Sequence, residues 1–522
     1  MSTPAAYFRL VRAGWIMVRE GVVAALPGDQ LSGLPRLGWR AGTALARRRS
    51  AGSDRSERFA RAATRLGPSY VKLGQFLATR PDVVGTEVAL DLANLQDRME
   101  TFPRSEAVAA IVGSLGRPLD DLYESLGEPV AAASIAQVHP ATLAGTGRPV
   151  AVKVIRPGVR RRFLNDLESY FAAAHLQERF IPSTRRLRPV QVTETLAQTT
   201  KIEMDLRLEA AALSEIGENT RDDPGFRVPS VDWERTGRDV LTMEWIDGIK
   251  MSNIAGLRAA GHDLPALAAN LIQNFLRHTL RDGFFHGDMH PGNLFVEADG
   301  TIVAVDFGIT GRLGRKERRF LAEILYGFIT RDYRRVAEVH FEAGYVPARH
   351  DVAAFAQAIR AIGEPIHGQP AETISMAKLL TLLFEVTELF DMAARPELVL
   401  LQKTMVVVEG VARTLDPHFN MWKTAEPVVG SWIAGNLGPR GILTDAREGV
   451  SAFVSLARQA PELAARTERL SREIDAMAEH GLRFDAETAK AIGKAEARYS
   501  RSGRVALWVI ALTLVWIAVE LG

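Results

Sequence analysis

Strand-forming residues in this chain are confined to a few short runs, and that confinement restricts the fold more than any other feature. EPVAAAS, IAQVHPATL and RPVAVKVI crowd into residues 128–155, the last two separated by the turn AGTG. A long helical stretch follows, and RVPSVDWE (227–234) and DVLTMEWIDG (239–248) are β-prone again. Beyond Gly248 the apolar spacing is helical, interrupted by the loop HGDMHPGN (286–293) and the short run TIVAVDFG (301–308). Strands gathered in one region and helices in another predict an α+β fold with two lobes. The expected divisions are a helical extension (1–128), a first lobe (129–250), a second lobe (251–440), an amphipathic helical region (441–500) and an apolar tail (501–522). A chain of 522 residues is too long for one core, which agrees with several units.

Charge and cysteine usage exclude some chemistry. The 64 basic and 62 acidic residues leave a net charge of +2, so bulk electrostatics give no reason to expect nucleic acid as a partner. The absence of cysteine excludes disulfides, thiolate zinc sites and thiol nucleophiles, and fits a reducing compartment. The two ends are distinctive. YFRLVRAGWIMVREGVVAAL (7–26) is broken by Arg9, Arg12, Arg19 and Glu20, which makes it an amphipathic helix rather than a secretory signal. Arg47, Arg48, Arg49, Arg55, Arg58, Arg61 and Arg65 form a basic stretch that suits either a solvated helix face or an anionic membrane surface. VALWVIALTLVWIAV (505–519) is uncharged, follows Arg501 and Arg504, and carries Trp508 and Trp516. As a helix it spans about 22 Å, short of a roughly 30 Å hydrocarbon core. Trp and flanking Arg favour an oblique or partial membrane segment, with burial on another subunit as the alternative.

The residues that carry chemistry are spread across these runs. Lys153 lies mid-strand between Val152 and Val154, so its side chain faces opposite to theirs. Val192, Leu196, Thr199, Leu206, Ala210 and Leu213 follow helical spacing, and Glu203 falls on the same stripe. An inward carboxylate is costly unless paired, so Glu203 is expected to pair with Lys153. Upstream, Ala131, Ala132, Ala133 and Ser134 are small enough for backbone to approach a ligand, without glycine's freedom at positive φ. In the loop, Asp288 precedes Asn293 by five residues, and Asp306 lies beyond. An Asp that orients a nucleophile, with an Asn and an Asp offering hard oxygens to Mg²⁺, is phosphoryl-transfer chemistry. His286 and His290 lack a third ligand at metal-binding spacing and are expected to brace the loop by hydrogen bonds. In GPSYVKLGQFLATR, Leu66, Tyr70, Leu73 and Leu77 share one helical face, and Lys72, Gln75 and Thr79 form an opposite face that helical amphipathicity alone makes wet.

Taken together, KLGQ (72–75), AAASIAQVH (131–139), VAVKV around Lys153, EMD (203–205), MEWIDG (243–248), HGDMHPGN and DFG resemble the UbiB-like atypical kinases over roughly residues 60–420. That resemblance implies a two-lobed protein-kinase-like fold with an N-terminal helical KxGQ extension and a helical C-terminal tail. It implies ATP and Mg²⁺ as cofactors, with Asp288 in the catalytic-loop position and Asn293 and Asp306 as metal ligands. Lys153 would contact nucleotide phosphates and Glu203 would orient it. The loop Ala131 to Ser134 would lie over the nucleotide, and Glu244 to Ile246 would meet adenine through backbone groups. Lys72 and Gln75 would cover the site, Lys72 close to the reacting phosphates, with Glu203 and Asp205 of the ExD motif meeting their helix. Only ITGRLG separates Gly308 from a helix-like run at Arg315, which leaves little room for a peptide-binding activation segment.

The resemblance further implies support of ubiquinone or related isoprenoid-lipid biosynthesis at a membrane, with the catalytic lobes cytoplasmic. The partners it implies are a membrane lipid or isoprenylated quinone precursor and quinone-biosynthesis enzymes, and a homodimer is compatible with it. Two other functions fit parts of the pattern: a catalytically idle ATP-binding scaffold, and an aminoglycoside- or choline-type phosphotransferase, which shares an HGDxHPxN loop. KLGQ and the Ala-rich loop weigh against the second.

Overall fold

The computed structural model describes residues 4–22, 55–78, 99–180, 188–367 and 396–436, with residues 43, 84, 88, 91–92, 386 and 389–392 between them. The expected amphipathic region (441–500) and apolar tail (501–522), like Arg47, Arg48, Arg49 and Thr79, lie outside the described residues. Contacts divide the chain after Ala434, and the elements below build the first unit, the final helix ending just past that point.

Among the described residues three helices lead in: α1 (Pro4–Arg19), α2 (Arg55–Leu66) and α3 (Pro68–Ala78), the last carrying KLGQ. Helix α4 (Arg104–Leu115) follows and is closed by Gly116, whose φ of 66° lets its N–H return to Val112 O at 2.9 Å. The first sheet then forms from β1 (Tyr123–Leu126), β2 (Ala131–Ala132), β3 (Ala136–Leu143), β4 (Pro149–Ile155) and β6 (Val240–Glu244). Its order is β1-β3-β4-β6, with β2 on β3, and every pairing is antiparallel. Strand β1 lies inside the stretch expected to be helical, because Tyr123 and Leu126 supply one buried edge position each beside a core already built on β3.

Alternation along β4 organises both faces of this sheet. Val150, Val152 and Val154 are fully buried with Phe102, Ile111, Leu122 and Val240 in a core that includes residues of α4. Ala151, Lys153 and Ile155 face the other way, as the strand period requires, yet that face is covered too. What covers it is a break in the long helical stretch. After α5 (Val159–Phe180) come two helices, α6 (Pro189–Glu203) and α7 (Leu206–Asn219), where the apolar spacing suggested one. Asp205 is extended (φ −119°, ψ 96°) and caps α7 by accepting the Arg207 N–H, which ends one helix and starts the next.

The second lobe is mostly helical but holds more strands than expected, all short. Segments β5 (Phe226–Arg227), β7 (Ile249–Lys250), β9 (Leu294–Val296) and β10 (Ile302–Ala304) form a sheet of order β5-β10-β9-β7, and β8 (Phe284–His286) pairs with β11 (Thr310–Arg312). Helix α8 (Leu264–Arg277) buries Leu267, Leu271, Phe275 and Leu276 and is capped by Asp263, which accepts the Ala266 N–H at 3.1 Å. A π-helical turn, His278–Asp282, ends at Gly283, where φ is 67° and a Cβ would lie 2.5 Å from Leu313 O. That turn delivers the chain into β8 and the HGDMHPGN loop. Helices α9 (Arg315–Thr330), α10 (Tyr333–Glu342), α11 (Val352–His367), α12 (Pro396–Leu415) and α13 (Met421–Asn436) complete the lobe.

Candidate active site

Lys153 is the centre of the site. Its ammonium donates to both carboxylate oxygens of Glu209, at 2.8 and 2.9 Å, and to Asp306 Oδ1 at 2.7 Å. The partner on the helix is therefore Glu209, not Glu203. Glu203 is the last residue of α6, ahead of the break at Asp205, while Glu209 lies in the first turn of α7 beside buried Leu206, Ala210 and Leu213. Burial pulls a lysine's pKa down, but here the Asp306 and Glu209 carboxylates prevail and hold Lys153 charged above its ordinary value. Glu209 itself is pushed up by burial despite Lys153. The Asp306 side chain is 44% exposed, and the Lys153 cation outweighs desolvation to hold it well below the usual carboxylate range.

Asp306 has φ of 64°, a conformation that costs a non-glycine residue about 1 kcal/mol or more. What holds it there is visible on either side. Phe307 is buried against the His286 ring, with centroids 4.4 Å apart, and the Val305 N–H bonds Asn293 O at 2.9 Å. His286 Nε2 donates to Val305 O at 3.0 Å while Nδ1 accepts the Asp288 N–H at 3.0 Å. Burial lowers the His286 pKa, which favours the neutral ring this arrangement uses. Asn293 donates its side-chain amide to Asp288 O at 3.1 Å, which leaves its amide oxygen as an acceptor. His290 accepts the Gly292 N–H at 3.0 Å. Both histidines thus brace the loop, and among the described residues no group of three or more His, Asp or Glu is arranged to hold a metal. Asn293 and Asp306 are the residues whose hard oxygens would suit Mg²⁺, which takes few protein ligands and completes its shell with water or phosphate.

The KLGQ helix is tied to α6, the helix before the break. Lys72 forms an ion pair with Glu203 at 2.5 Å, their side chains only 11% and 8% exposed, and its charge contributes to the lowering of Asp306. The expected wet face is therefore covered; Gln75 on the same helix is half-buried. Among the described residues no bond joins Asp205 to that helix. Its carboxylate caps α7 and pairs with Arg207 at 2.7 Å, which holds it below the usual range. Ala131 and Ala132 form β2, and Ala133, Ser134 and Ile135 make the turn into β3, with Ala133 N–H bonded to Ala136 O at 2.8 Å. Ser134 is buried, Ala131 exposed, and Ala132 and Ala133 lie between. Glu244 ends β6 opposite Val150, and Ile246 follows, half-buried, where the chain passes to the second lobe.

Two contacts come from a helix the sequence did not connect to this loop. On α12, Thr404 Oγ1 donates to Gly287 O at 2.9 Å, and Lys403 Nζ lies 4.0 Å from Asp288 Oδ1. A Cβ at Gly287 would meet Leu400 of the same helix at 3.1 Å, so the glycine admits the close approach.

A strand lysine tied to a helix glutamate, a braced Asp and Asn loop, and an Asp before Phe-Gly define an atypical protein-kinase-like protein. Residues 94–340 match the ABC1 atypical kinase-like domain and residues 359–420 the UbiB helical domain. The chain is 39% identical over 415 residues to a probable protein kinase UbiB of Marinobacter nauticus, covering 78% of this chain and 76% of that one. It is 38% identical over 475 residues to its counterpart in Aeromonas hydrophila, covering 90% and 87%. A solved Mycobacterium tuberculosis protein, in complex with erythromycin, aligns with a TM-score of 0.46 and 26% identity over 68% of this chain and 90% of that one. This chain belongs to the UbiB family of ABC1 atypical kinases.

Proposed function

We propose that the protein is a Mg²⁺- and ATP-dependent phosphotransferase or ATPase of the UbiB type that serves ubiquinone or related isoprenoid-quinone biosynthesis at a membrane. The observation that carries this reading is Lys153 held between Glu209 and Asp306. Such a lysine is fixed in direction and permanently charged, ready to meet nucleotide phosphates. Asp288, one-third exposed, is the group to orient an attacking oxygen or accept its proton. Asn293 and Asp306 are the residues to hold Mg²⁺, which when bound neutralises charge on the phosphate oxygens.

A small or lipid acceptor suits the site better than a peptide. Only residues 309–314 separate Gly308 from α9, and half of them are taken by β11. The Lys72–Glu203 pair ties the KLGQ helix to α6, which supports its lying across the remaining approach. Membrane work is supported by α1, which buries Ala6, Ala13 and Ile16 and leaves Phe8, Val11 and Trp15 at least half exposed beside Arg12 and Arg19. Among the described residues no helix is long and apolar enough to cross a membrane. Deleting residues 504–522 is expected to shift the protein from membrane to soluble fractions; continued sedimentation with liposomes would assign the attachment to α1.

The test is Mg²⁺-dependent phosphate release from ATP, with and without detergent micelles carrying an isoprenylated phenol. Lipid-stimulated release in the wild type and its loss in Asp306→Asn, by about 100-fold or more, is the expected result. ATP binding without release from either protein would instead support a scaffold that organises quinone-making enzymes.

A further inference from the structure

Two segments, one on each side of β6, pass between the lobes, and one arginine joins them. The segment after β5 begins on the second-lobe sheet, where Arg227 pairs with Val303, and runs onto the first-lobe sheet, where Val231 bridges Met243. The segment after β6 travels the other way, from Glu244 beside Val150 to Ile249 beside Val296. Arg227 sits where these segments cross. Its guanidinium reaches Glu244 at 2.9 and 3.1 Å and Glu297, just past β9, at 2.6 and 2.8 Å. Glu244 is further fixed by Ser230, whose N–H and hydroxyl lie 3.2 and 3.3 Å from Oε2 and whose carbonyl accepts the Glu244 N–H at 2.9 Å.

Four charge-assisted bonds on a planar group fix direction as well as distance. What they fix is Glu244, the residue at the head of the Glu244–Ile246 segment, with one anchor on each lobe. We infer that Arg227 is a positioning residue for a purine base: with Glu244 and Glu297 it holds the interlobe backbone in the register that meets adenine, and so sets nucleotide affinity from outside the phosphate site. This rests on the nucleotide-binding reading above. Removing Arg227 does more than delete bonds, since it leaves Glu244 and Glu297, two like charges, facing the vacated place across the lobes.

The test is calorimetric titration of the full chain with Mg-ATP and, separately, with Mg-tripolyphosphate, which has phosphates but no base. Arg227→Ala is expected to bind Mg-ATP about tenfold more weakly and Mg-tripolyphosphate unchanged. Arg227→Lys, which keeps the charge without the planar fork, should recover at least part of the loss. Glu297→Gln should weaken Mg-ATP by about threefold, with only the second-lobe charge removed. The three side chains are 22–34% exposed, so hydration limits any folding defect. Equal Mg-ATP affinity in the wild type and Arg227→Ala overturns the inference while leaving the nucleotide reading intact. An equal loss for tripolyphosphate overturns it too, because the effect is then not on the base. No Mg-ATP binding by the wild type overturns the nucleotide reading and the adenine role together.

Discussion

Lys153→Met should abolish measurable Mg-ATP binding and cost about 3–5 kcal/mol of stability, the loss expected when one partner of a buried ion pair is removed. The stability cost falls on Glu209, whose side chain is 5% exposed and would be left charged against β4 without a cation. Asp306 contributes less, because its side chain is exposed enough for water to solvate it. The pH dependence has a definite sign. Glu209 already titrates above its ordinary value of 4.5, and losing Lys153 moves it further up. A carboxyl with a raised folded pKa favours the folded state while protonated, and that advantage is lost as pH rises through the folded pKa. The difference between wild type and variant should therefore be smallest at about pH 5 and grow toward about pH 8. Lys153 does not blur this window, because its own raised pKa keeps its contribution intact until pH exceeds the ordinary lysine value of 10.5. Chemical denaturation at three pH values measures it. Glu203→Gln is the control: it removes a neighbouring like charge that helps to raise Glu209 but breaks no bond of the Lys153–Glu209 pair, and an effect on that pair's pH dependence equal to Lys153→Met would return the partnership to Glu203.

That assignment marks the boundary of what the sequence discloses. Strand alternation was enough to set Lys153 opposite its valine neighbours, and loop composition was enough to assemble Asp288, Asn293 and Asp306. Short-range patterns carry such information because strand period and loop chemistry are local. The helix partner was misassigned for a local reason as well. Apolar spacing runs on from Leu196 to Leu213 as though Met204 and Asp205 were helical, so Glu203 appears to share a stripe with residues on a different helix. The contrary signal is Asp205 itself, a favoured N-cap residue immediately before Leu206, and with the helix restarted there Glu209 takes the inward position. No comparable signal exists for Lys403 and Thr404. Their link to the HGDMHPGN loop spans more than a hundred residues and depends on how α12 packs, which periodicity does not encode. Amphipathicity alone leaves the face of Lys72 wet for the same reason, since it shows which side is polar and not whether a carboxylate from elsewhere pairs with it.

Lys72 and Glu203 offer a way to separate closing the site from serving it. Glu203 occupies the last position of α6, where the helix dipole disfavours a negative charge by about 0.3–1 kcal/mol. Its presence there is explained by the ion pair to Lys72 across to α3. Lys72→Glu alone sets two carboxylates against each other in a nearly dry contact, and Glu203→Lys alone sets two ammonium groups there. Each should lose about 3–5 kcal/mol in chemical denaturation. The double swap restores opposite charges and puts the cation at the helix C-terminus, where the dipole favours it, so it should regain more than half of that loss. Nucleotide binding should not follow. Lys72 also lends positive charge to Asp306 and the phosphate site, and the swapped pair leaves a carboxylate at position 72 in its place. Mg-ATP affinity should therefore stay at least about tenfold below wild type in a double variant that has recovered its stability. Recovery of both together would make the KLGQ lysine a strut and nothing more, whereas recovery of stability alone ties its charge to the nucleotide.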